Sequence, residues 1–209
     1  MAPTDPRVEV RALRGPAAIE PHLDALAALR IAVFRDWPYL YDGDLNYERS
    51  YLRAYAEPGA LVVGVFAGGR MVGAATAAPM ERHAADLAEP LRAMGRDPRD
   101  VYYLAESVLL PAWRSRGLGH RFFDEREAEG LAQGRRWAAF CAVIRPADHP
   151  ARPPGGRSHD AFWRRRGYRP VPGAVARFRW RDLGASAESQ KELQVWTRPL
   201  SAAAAADRP

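Results

Sequence analysis

The sequence contains very little cysteine and lysine. Among its 209 residues it has one cysteine, Cys141, and one lysine, Lys191. A single cysteine excludes a disulfide within the chain and a metal cluster built on cysteine ligands. Because Cys141 lies in an apolar run, residues 137–144, we expect a buried thiol and not a nucleophile.

Long hydrophobic runs are also missing. No apolar stretch approaches the roughly 20 residues that a transmembrane helix needs, and the first residues lack the basic and then apolar pattern of a secretory leader. The composition, 47% hydrophobic and 27% charged, is typical of a soluble globular protein. We therefore expect a cytoplasmic protein without a membrane partner.

What the sequence has in abundance is arginine. The formal net charge is +6, and the arginines concentrate in residues 114–136 and 152–169. Such a surplus suits an anionic ligand, either a nucleic acid or a small anionic cofactor. We see no zinc finger, no helix-turn-helix and no aromatic-rich RNA motif, so nucleic acid is not an expected partner.

Two other kinds of chemistry find no support in the sequence. No His, Asp or Glu residues have the spacing of a metal site, so no metal is predicted. No Ser or Cys has a neighbouring His and acid in a recognisable nucleophile motif, which disfavours hydrolase chemistry.

The hydrophobic pattern predicts a single α/β (α+β) domain over residues 1–200, followed by a disordered tail, 201–209. Strands and helices follow in the order β-α-α-β-β-α-β-α-β-α-β-β, with a Gly-rich hairpin between the second and third strands. The predicted strands are 8–13, 61–66, 71–77, 101–110, 136–144, 174–180 and 192–198. The predicted helices are 16–34, 46–56, 84–94, 118–133 and 158–166.

The stretch 101–121 has the features of a phosphate-binding turn. An apolar strand stops at Pro111, and Arg114-Ser-Arg-Gly-Leu-Gly119 then leads into a helix. Glycines allow close approach of the backbone, and the free N–H groups and dipole of a helix N-terminus attract an anion. The residues expected near the phosphate are Arg114, Arg116, Gly117, Leu118, Gly119, His120 and Arg121.

The common nucleotide-binding motifs do not match this turn. A Walker loop would close with Lys-Ser or Lys-Thr, and a dinucleotide-binding fingerprint needs a third glycine and a later acidic residue. Three other features accompany the turn: Glu106 within the strand, the break at Pro111, and the segment Phe162-Trp-Arg-Arg-Arg-Gly-Tyr168.

In these features the sequence resembles the GNAT superfamily of N-acetyltransferases. Val108-Leu-Leu-Pro111 followed by Arg114-x-x-Gly-x-Gly119 is similar to the family's strand and turn, and Gly167-Tyr168 is similar to the end of its aromatic-rich helix. The resemblance implies a mixed, mostly antiparallel, V-shaped sheet of about seven strands flanked by helices. It also implies that acetyl-CoA, the co-substrate, lies where the sheet opens between strands 101–110 and 136–144.

The resemblance assigns parts of the co-substrate to parts of the chain. The backbone N–H groups from Arg116 to His120 would bind the pyrophosphate, and the pantetheine arm would pair with Val108, Leu109 and Leu110 as an added strand. A backbone N–H near Val108 would polarise the thioester carbonyl. A neutral amine would then attack directly, without an acyl-enzyme.

Glu106 is the predicted catalytic residue. An acid inside an apolar strand is costly to bury without a partner. The resemblance places Glu106 where many GNAT enzymes have a general base, acting directly or through water. The alternative is a structural ion pair with an arginine.

The resemblance leaves the proton donor for the departing thiolate open. Many relatives have a tyrosine four residues before the helix-ending glycine, where this chain has Trp163. Tyr168, Tyr103 and Ser158 are the alternatives, or the thiolate leaves without a donor.

The acceptor is predicted to be a primary amine of a small molecule or a peptide, and its identity stays open. Residues 36–48 combine four acids with several aromatic residues, which could receive a cationic amine or form a solvated loop. Asp148 and His149, on the long loop 146–156, are further candidates for substrate contact. The alternative function is a non-catalytic acyl-CoA-binding sensor or interaction module, and a homodimer is one option for its assembly.

Overall fold

The structure is a computed structural model that describes residues 8–83, 85–93, 95–155 and 158–201. The predicted tail, 201–209, lies outside the described residues apart from Ser201. Within the described ranges, no helix is both long and apolar enough to cross a membrane. The same residues contain no group of three or more His, Cys, Asp or Glu side chains that could hold a metal ion.

The described residues form seven strands and seven α-helices, joined in places by short 3-10 turns. The strands are β1 (Val8–Leu13), β2 (Leu61–Ala67), β3 (Arg70–Pro79), β4 (Val101–Leu109), β5 (Trp137–Val143), β6 (Arg169–Trp180) and β7 (Ser189–Pro199). The helices are α1 (Pro16–Ile19), α2 (Leu23–Phe34), α3 (Leu45–Leu52), α4 (Met80–His83), α5 (Ala85–Arg92), α6 (Leu118–Ala132) and α7 (Asp160–Arg165).

All seven strands belong to one sheet, in the order β1-β2-β3-β4-β5-β7-β6. Neighbouring strands are antiparallel except β4 and β5, which run parallel. These two strands pair from Val101↔Trp137 to Tyr103↔Ala139 and then separate, while each stays paired with its other neighbour. The sheet is therefore open beyond this junction, and the predicted mixed, mostly antiparallel sheet is confirmed.

Helices cover both faces of the sheet, since every residue of β2 and every residue of β3 after Arg70 is buried on whichever face it points to. On β2, Val62 packs in one core with Leu26 of α2, whereas Val63 packs in another core with Phe122 of α6. Successive side chains of a strand point to opposite faces. Consequently α2 lies on one side of β3 and β4, and α6 lies on the other side of β2 to β5.

The predicted elements are all present, with the largest changes at two places. The helix predicted over 16–34 is interrupted at Glu20–His22 by a 3-10 turn, where Pro21 lacks a backbone donor. Strand β6 begins at Arg169 rather than at 174, and its register with β7 shifts between Pro170 and Val175. Prolines cannot donate to the sheet ladder, so a proline-rich segment concealed the first part of this strand.

Candidate active site

The glycine turn leads into a defined helix N-terminus. Helix α6 begins at Leu118, and its N-cap, Gly117, has φ 77°, a left-handed conformation that favours glycine. A glycine N-cap has no side chain that could satisfy the first N–H groups of the helix. The His120 N–H donates to the Gly117 carbonyl at 3.0 Å. It is therefore already bonded within the turn, unlike what an anion-binding N–H group would require.

The space in front of this helix end is open. A Cβ built on Gly119 would meet Phe162 at 3.8 Å, an ordinary contact, and one on Gly117 would meet nothing within 4 Å among the described residues. Packing inside the protein therefore does not require a glycine at 119. The room left by its missing side chain fits a pyrophosphate group that approaches the backbone closely.

The arginines of the turn contact neighbouring protein groups. Arg114 Nε donates to the Leu109 carbonyl at 3.0 Å. The Arg116 guanidinium lies over the ring of a neighbouring tryptophan, 4.7 Å from its centroid. Arg121, further along α6, pairs with Glu125 at 3.3 Å. All three arginines thus lie on or beside the first turns of α6, as expected for an electropositive anion site.

The end of β4 presents the backbone of Leu109 to the opening of the sheet. The Leu110 N–H donates to the Val72 carbonyl at 3.0 Å and is therefore committed to β3. Because backbone groups alternate between the two edges of an antiparallel strand, Val108 also faces β3 and Leu109 faces the opening. The predicted contact with residues 108–110 narrows to Leu109, whose carbonyl accepts the hydrogen bond from Arg114.

A β-bulge in β4 determines where Glu106 points. The register between β3 and β4 shifts at Thr76, so that Ala105 and Glu106 lie opposite one residue. In a regular strand these two side chains would point to opposite faces. Here Ala105 packs in the core next to α2, and Glu106 pairs with Arg30 of α2. The bulge therefore brings the carboxylate to the α2 face.

A buried arginine of α6 holds this bulge. Arg126 is 1% exposed and donates to the carbonyls of Thr76 at 3.2 Å and Glu106 at 3.0 Å, and to Ser107 Oγ at 2.8 Å. The guanidinium supplies donors at a point where the sheet ladder is interrupted. Burial lowers the pKa of Arg126 to about 10, so the side chain remains charged at neutral pH.

Glu106 belongs to a buried charged cluster with Arg30 and Glu48. Arg30 pairs with Glu106, and its Nε donates to Glu48 Oε2 at 2.5 Å. The hydroxyls of Tyr51 and Tyr55 lie 3.5 Å and 3.4 Å from Glu106 Oε2. The ion pair considered as the alternative to a catalytic role is thus present. Glu106 nevertheless borders a cavity, so the ion pair does not remove it from contact with a ligand.

This aromatic cavity has a volume of about 500 Å³ and lies between the α2–α3 region and strands β4 to β7. Its size falls in the range of small-molecule sites. Cys141 of β5 lines it as a buried residue, as predicted, and burial raises the pKa of its thiol. Eight lining residues are aromatic: Phe34, Tyr39, Tyr41, Tyr47, Tyr51, Tyr103, Phe178 and Trp180.

The tyrosines around Glu106 keep their protons. Burial first, and the charge of Glu106 second, raise the pKa of Tyr39 to about 12 and also raise the pKa of Tyr51. Neutral hydroxyls can donate hydrogen bonds but are not bases at neutral pH. Among the described residues that line the cavity, Glu106 is the buried carboxylate.

One wall of the cavity is fixed by a cluster that local sequence patterns did not indicate. Arg145, after β5, donates to the Tyr39 carbonyl at 2.7 Å and pairs with Asp182 at 2.9 Å. Trp180 Nε1 also donates to the Tyr39 carbonyl, at 3.1 Å. Lys191 pairs with Asp182 at 3.3 Å. These residues come from distant segments of the chain. The sequence signal that could have indicated the cluster was the lone lysine, Lys191, directly before a predicted strand.

The acids of residues 36–48 have other partners. Asp42 pairs with Arg181 at 2.8 Å, and Asp36 lies 4.0 Å from Arg114. Asp44 caps α3 by accepting hydrogen bonds from backbone N–H groups. The fourth acid, Glu48, belongs to the buried cluster with Arg30. The segment therefore contributes aromatic walls to the cavity, and Asp42 and Asp44, which also line it, are held by protein partners.

Asp148 and His149 lie away from the aromatic cavity. The Ala151 N–H donates to His149 Nδ1 at 3.1 Å, and the His149 ring lies 5.3 Å from the Trp37 ring. With their own loop they line a separate, open surface depression. The structure does not bring these two candidates together with Glu106.

Of the three alternative proton donors, Tyr103 lines the cavity. Tyr168 is fully buried and donates to Glu127 Oε1 at 2.9 Å, and Ser158 donates to Asp160. Trp163, at the position of the family's tyrosine, packs in an aromatic core that faces α6. The geometry thus assigns Tyr168 and Ser158 to local structure.

Comparison with solved structures identifies the fold. A GNAT-family protein from Desulfovibrio desulfuricans has a TM-score of 0.57 at 15% identity, covering 93% of this chain and 100% of that chain. The ribosomal-protein-alanine N-acetyltransferase of Brucella melitensis has a TM-score of 0.60 at 17% identity, with coverages of 92% and 99%. Salmonella typhimurium yncA, solved with its cofactor acetyl-CoA, has a TM-score of 0.58 at 13% identity, with coverages of 93% and 95%.

The chain therefore has the GNAT fold, as the motif resemblance implied. No family model and no curated protein sequence matches it. At identities this low the likeness establishes the architecture, and the activity has to be argued from the residues of the site.

Proposed function

We propose that the protein is an acetyl-CoA-dependent N-acetyltransferase that acts on a primary amine. One observation carries the proposal: β4 places Glu106 beside the aromatic cavity, turns Leu109 to the open edge of the sheet, and leads into the glycine turn before α6. A reaction between two substrates needs adjoining sites, and this strand connects them.

The described residues fit acetyl-CoA. The first turn of α6, with open space at Gly119, suits the pyrophosphate. The Leu109 N–H, on the strand edge that faces the opening, suits a carbonyl of the pantetheine arm or the thioester oxygen. When bound, acetyl-CoA supplies an acetyl group as a thioester, in which an amine nitrogen forms a C–N bond to the carbonyl carbon as the C–S bond breaks.

Glu106 prepares the amine for this attack. A primary amine arrives mainly as an ammonium ion because its pKa is close to that of lysine, about 10. Glu106 holds the cation and accepts one of its protons, directly or through a water molecule. A second proton leaves the nitrogen as the C–N bond forms, and the departing thiolate takes up one proton. One net proton is therefore released for each acetyl group transferred.

Release of CoA thiol from acetyl-CoA in the presence of a panel of amines tests the proposal. We expect turnover with at least one primary amine. Glu106→Gln should lower kcat about 100-fold at neutral pH, with an unchanged KM for acetyl-CoA. Glu192→Gln, on the exposed side of β7, is the control and should keep full activity.

Three outcomes would count against parts of the proposal. Full activity in Glu106→Gln would remove Glu106 from the mechanism. Tight acetyl-CoA binding without turnover of any amine would favour the alternative, a non-catalytic acyl-CoA-binding module. Gly119→Trp fills the space at the helix N-terminus, so unchanged acetyl-CoA binding in that variant would contradict the pyrophosphate site.

A further inference from the structure

Eight aromatic side chains line the aromatic cavity. Tyr39 and Trp180 form one wall, with ring centroids 6.0 Å apart, and Tyr47 and Tyr51 form another, with nearly parallel rings 6.5 Å apart. The polar atoms of the inner rings already have partners: Trp180 Nε1 donates to the Tyr39 carbonyl, and the Tyr51 hydroxyl bonds that of Tyr55 at 3.0 Å. The walls therefore favour a flat apolar ligand over one rich in hydrogen-bonding groups.

The buried charges behind this cavity do not balance. The cluster contains two carboxylates, Glu48 and Glu106, and one guanidinium, Arg30, and none of the three is more than 8% exposed. Among the side chains joined by these ion pairs, two negative charges and one positive charge leave a net charge of −1; the nearby Arg126 donates to the Glu106 backbone carbonyl and not to its carboxylate. Buried charge without a counter-ion is unfavourable, so a cation on the ligand would stabilise the cluster. Of these two carboxylates, Glu106 borders the cavity.

The charged residues at the rim of the cavity differ from the Arg30 cluster behind it. The other lining arginines, Arg179 and Arg181, are exposed at the rim, and Arg181 already pairs with Asp42 at 2.8 Å. An α-amino acid carries its carboxylate on the carbon next to the nitrogen. That carboxylate would be drawn toward Glu106 together with the ammonium group, and the two like charges would repel each other.

We propose that the acceptor is an arylalkylamine: a primary amine on a short linker to a flat aromatic body, with no carboxylate beside the nitrogen. The ammonium group pairs with Glu106, and the body stacks on the tyrosine and tryptophan faces, which also attract the cation. This inference rests on the proposed acetyl transfer, since it specifies the amine that Glu106 prepares.

Matched amines test the proposed class. Phenethylamine is compared with phenylalanine, which adds only the carboxylate, with 1,4-diaminobutane, which lacks the aromatic body, and with a glycine dipeptide amide. We expect kcat/KM for phenethylamine to exceed each of the others by about tenfold or more, which corresponds to about 1.4 kcal/mol. Equal or faster acetylation of any of the other three would overturn the proposal.

A binding measurement separates this inference from the proposed function. Calorimetry without acetyl-CoA should show tighter binding of phenethylamine than of diaminobutane. Tyr47→Leu, at a side chain 57% exposed, should weaken phenethylamine binding about threefold. Leu45→Ala, on the same helix but not lining the cavity, is the matched control and should bind as the wild type does.

The two failures then look different. If no amine is acetylated but phenethylamine binds with this preference and depends on Tyr47, the acetyl transfer fails and the ligand class stands. If acetylation occurs but diaminobutane binds and reacts as well as phenethylamine, the ligand class fails and the acetyl transfer stands.

Discussion

Glu127 on α6 and Glu106 on β4 are both buried carboxylates paired with arginine, but they differ in what surrounds them. Glu127 is fully buried and accepts hydrogen bonds from Tyr168 at 2.9 Å, Arg166 at 3.0 Å and Arg198 at 3.1 Å. The partners of the Glu127 carboxylate are therefore all protein groups. Glu106 borders the aromatic cavity instead.

The difference is one of charge balance. Arg166 also pairs with Asp124, at 2.8 Å, so that in the ion pairs on the α6 side two carboxylates meet two guanidiniums, while Arg126 donates to uncharged acceptors of β3 and β4. On the α2 side two carboxylates share Arg30. A balanced cluster is complete in the protein alone and contributes to folding, whereas an unbalanced cluster beside a cavity gains from a ligand.

Removing the charge of Glu127 is expected to have the largest effect on stability. Glu127→Gln leaves Arg166 and Arg198 buried with one carboxylate less, so the free energy of unfolding should fall by about 3–5 kcal/mol. Urea unfolding followed by circular dichroism measures this change. The exposed substitution Glu192→Gln is the control and should stay within about 0.5 kcal/mol of the wild type.

Glu106→Gln completes this test. Arg30 keeps Glu48 as a partner in that variant, so its loss of stability should be smaller than that of Glu127→Gln while its loss of activity is larger. Equal losses of stability in the two variants would contradict the distinction between a balanced and an unbalanced cluster.

Arg126 links the two sides of the comparison, because it reaches from α6 into the bulge that presents Glu106. Arg126→Met leaves the carbonyls of Thr76 and Glu106 without their donor. The free energy of unfolding should fall by about 2 kcal/mol. In addition kcat should fall with an unchanged KM for acetyl-CoA, because the Glu106 carboxylate is no longer held in place.

Kinetics at a temperature where the variant is fully folded separate these two effects. Arg126→Lys keeps the charge and one donor group, so it should recover part of the lost kcat. A variant that loses stability but keeps the wild-type kcat would show that Arg126 supports the fold alone.

The part of the site that could be predicted lies in one continuous stretch of chain. The strand that ends at Pro111, the Gly117–Gly119 turn and the start of α6 are consecutive, and each has a local chemical signature. The same holds for the strands and the hairpin, whose apolar runs and glycines are local signals. The open sheet then followed from resemblance, and the structure agrees with it.

The part that could not be predicted depends on contacts between distant segments. No local pattern shows that β4 has a bulge, so alternation counted from the start of the strand would have placed Glu106 on the same face as Leu104, toward α6. Two strands and three α-helices lie between Arg30 and Glu106 in the chain, yet the two residues form an ion pair. Arg126 and Glu127 are charged residues of α6, and both are buried because partners from β3, β4, the end of α7 and β7 reach them.

Glu48 allows the charge imbalance to be changed without touching the cavity. Glu48→Gln keeps an acceptor for Arg30 but brings the net charge of the cluster from −1 to zero. Phenethylamine should then bind about threefold to tenfold more weakly, because the cation no longer balances a buried charge. Calorimetry with the uncharged analogue phenethyl alcohol is the control, and its affinity should not change. An unchanged affinity for the amine would mean that the imbalance does not select a cation.

Asp182 tests whether the partners of a carboxylate or its place beside the cavity decides its role. It supports the aromatic wall, yet it pairs with two cations, Arg145 at 2.9 Å and Lys191 at 3.3 Å. Burial alone would raise its pKa, but the hydrogen bond and charge of Arg145, and then those of Lys191, hold the pKa of Asp182 below its usual range. Because both of its partners belong to the protein, Asp182 should behave as Glu127 does and contribute to stability.

The pH dependence of this contribution follows from the sign of the shift. A lowered pKa in the folded state means that the stabilisation is complete above the unfolded pKa, about 3.9, and is lost as the pH falls through the lower folded value. The difference in unfolding free energy between the wild type and Asp182→Asn should therefore stay constant from neutral pH to about pH 5 and shrink below about pH 4. Urea unfolding at a series of pH values measures it. No difference at neutral pH would show that a carboxylate fully paired within the protein can contribute nothing to stability, and the comparison between Glu106 and Glu127 would then rest on the cavity alone.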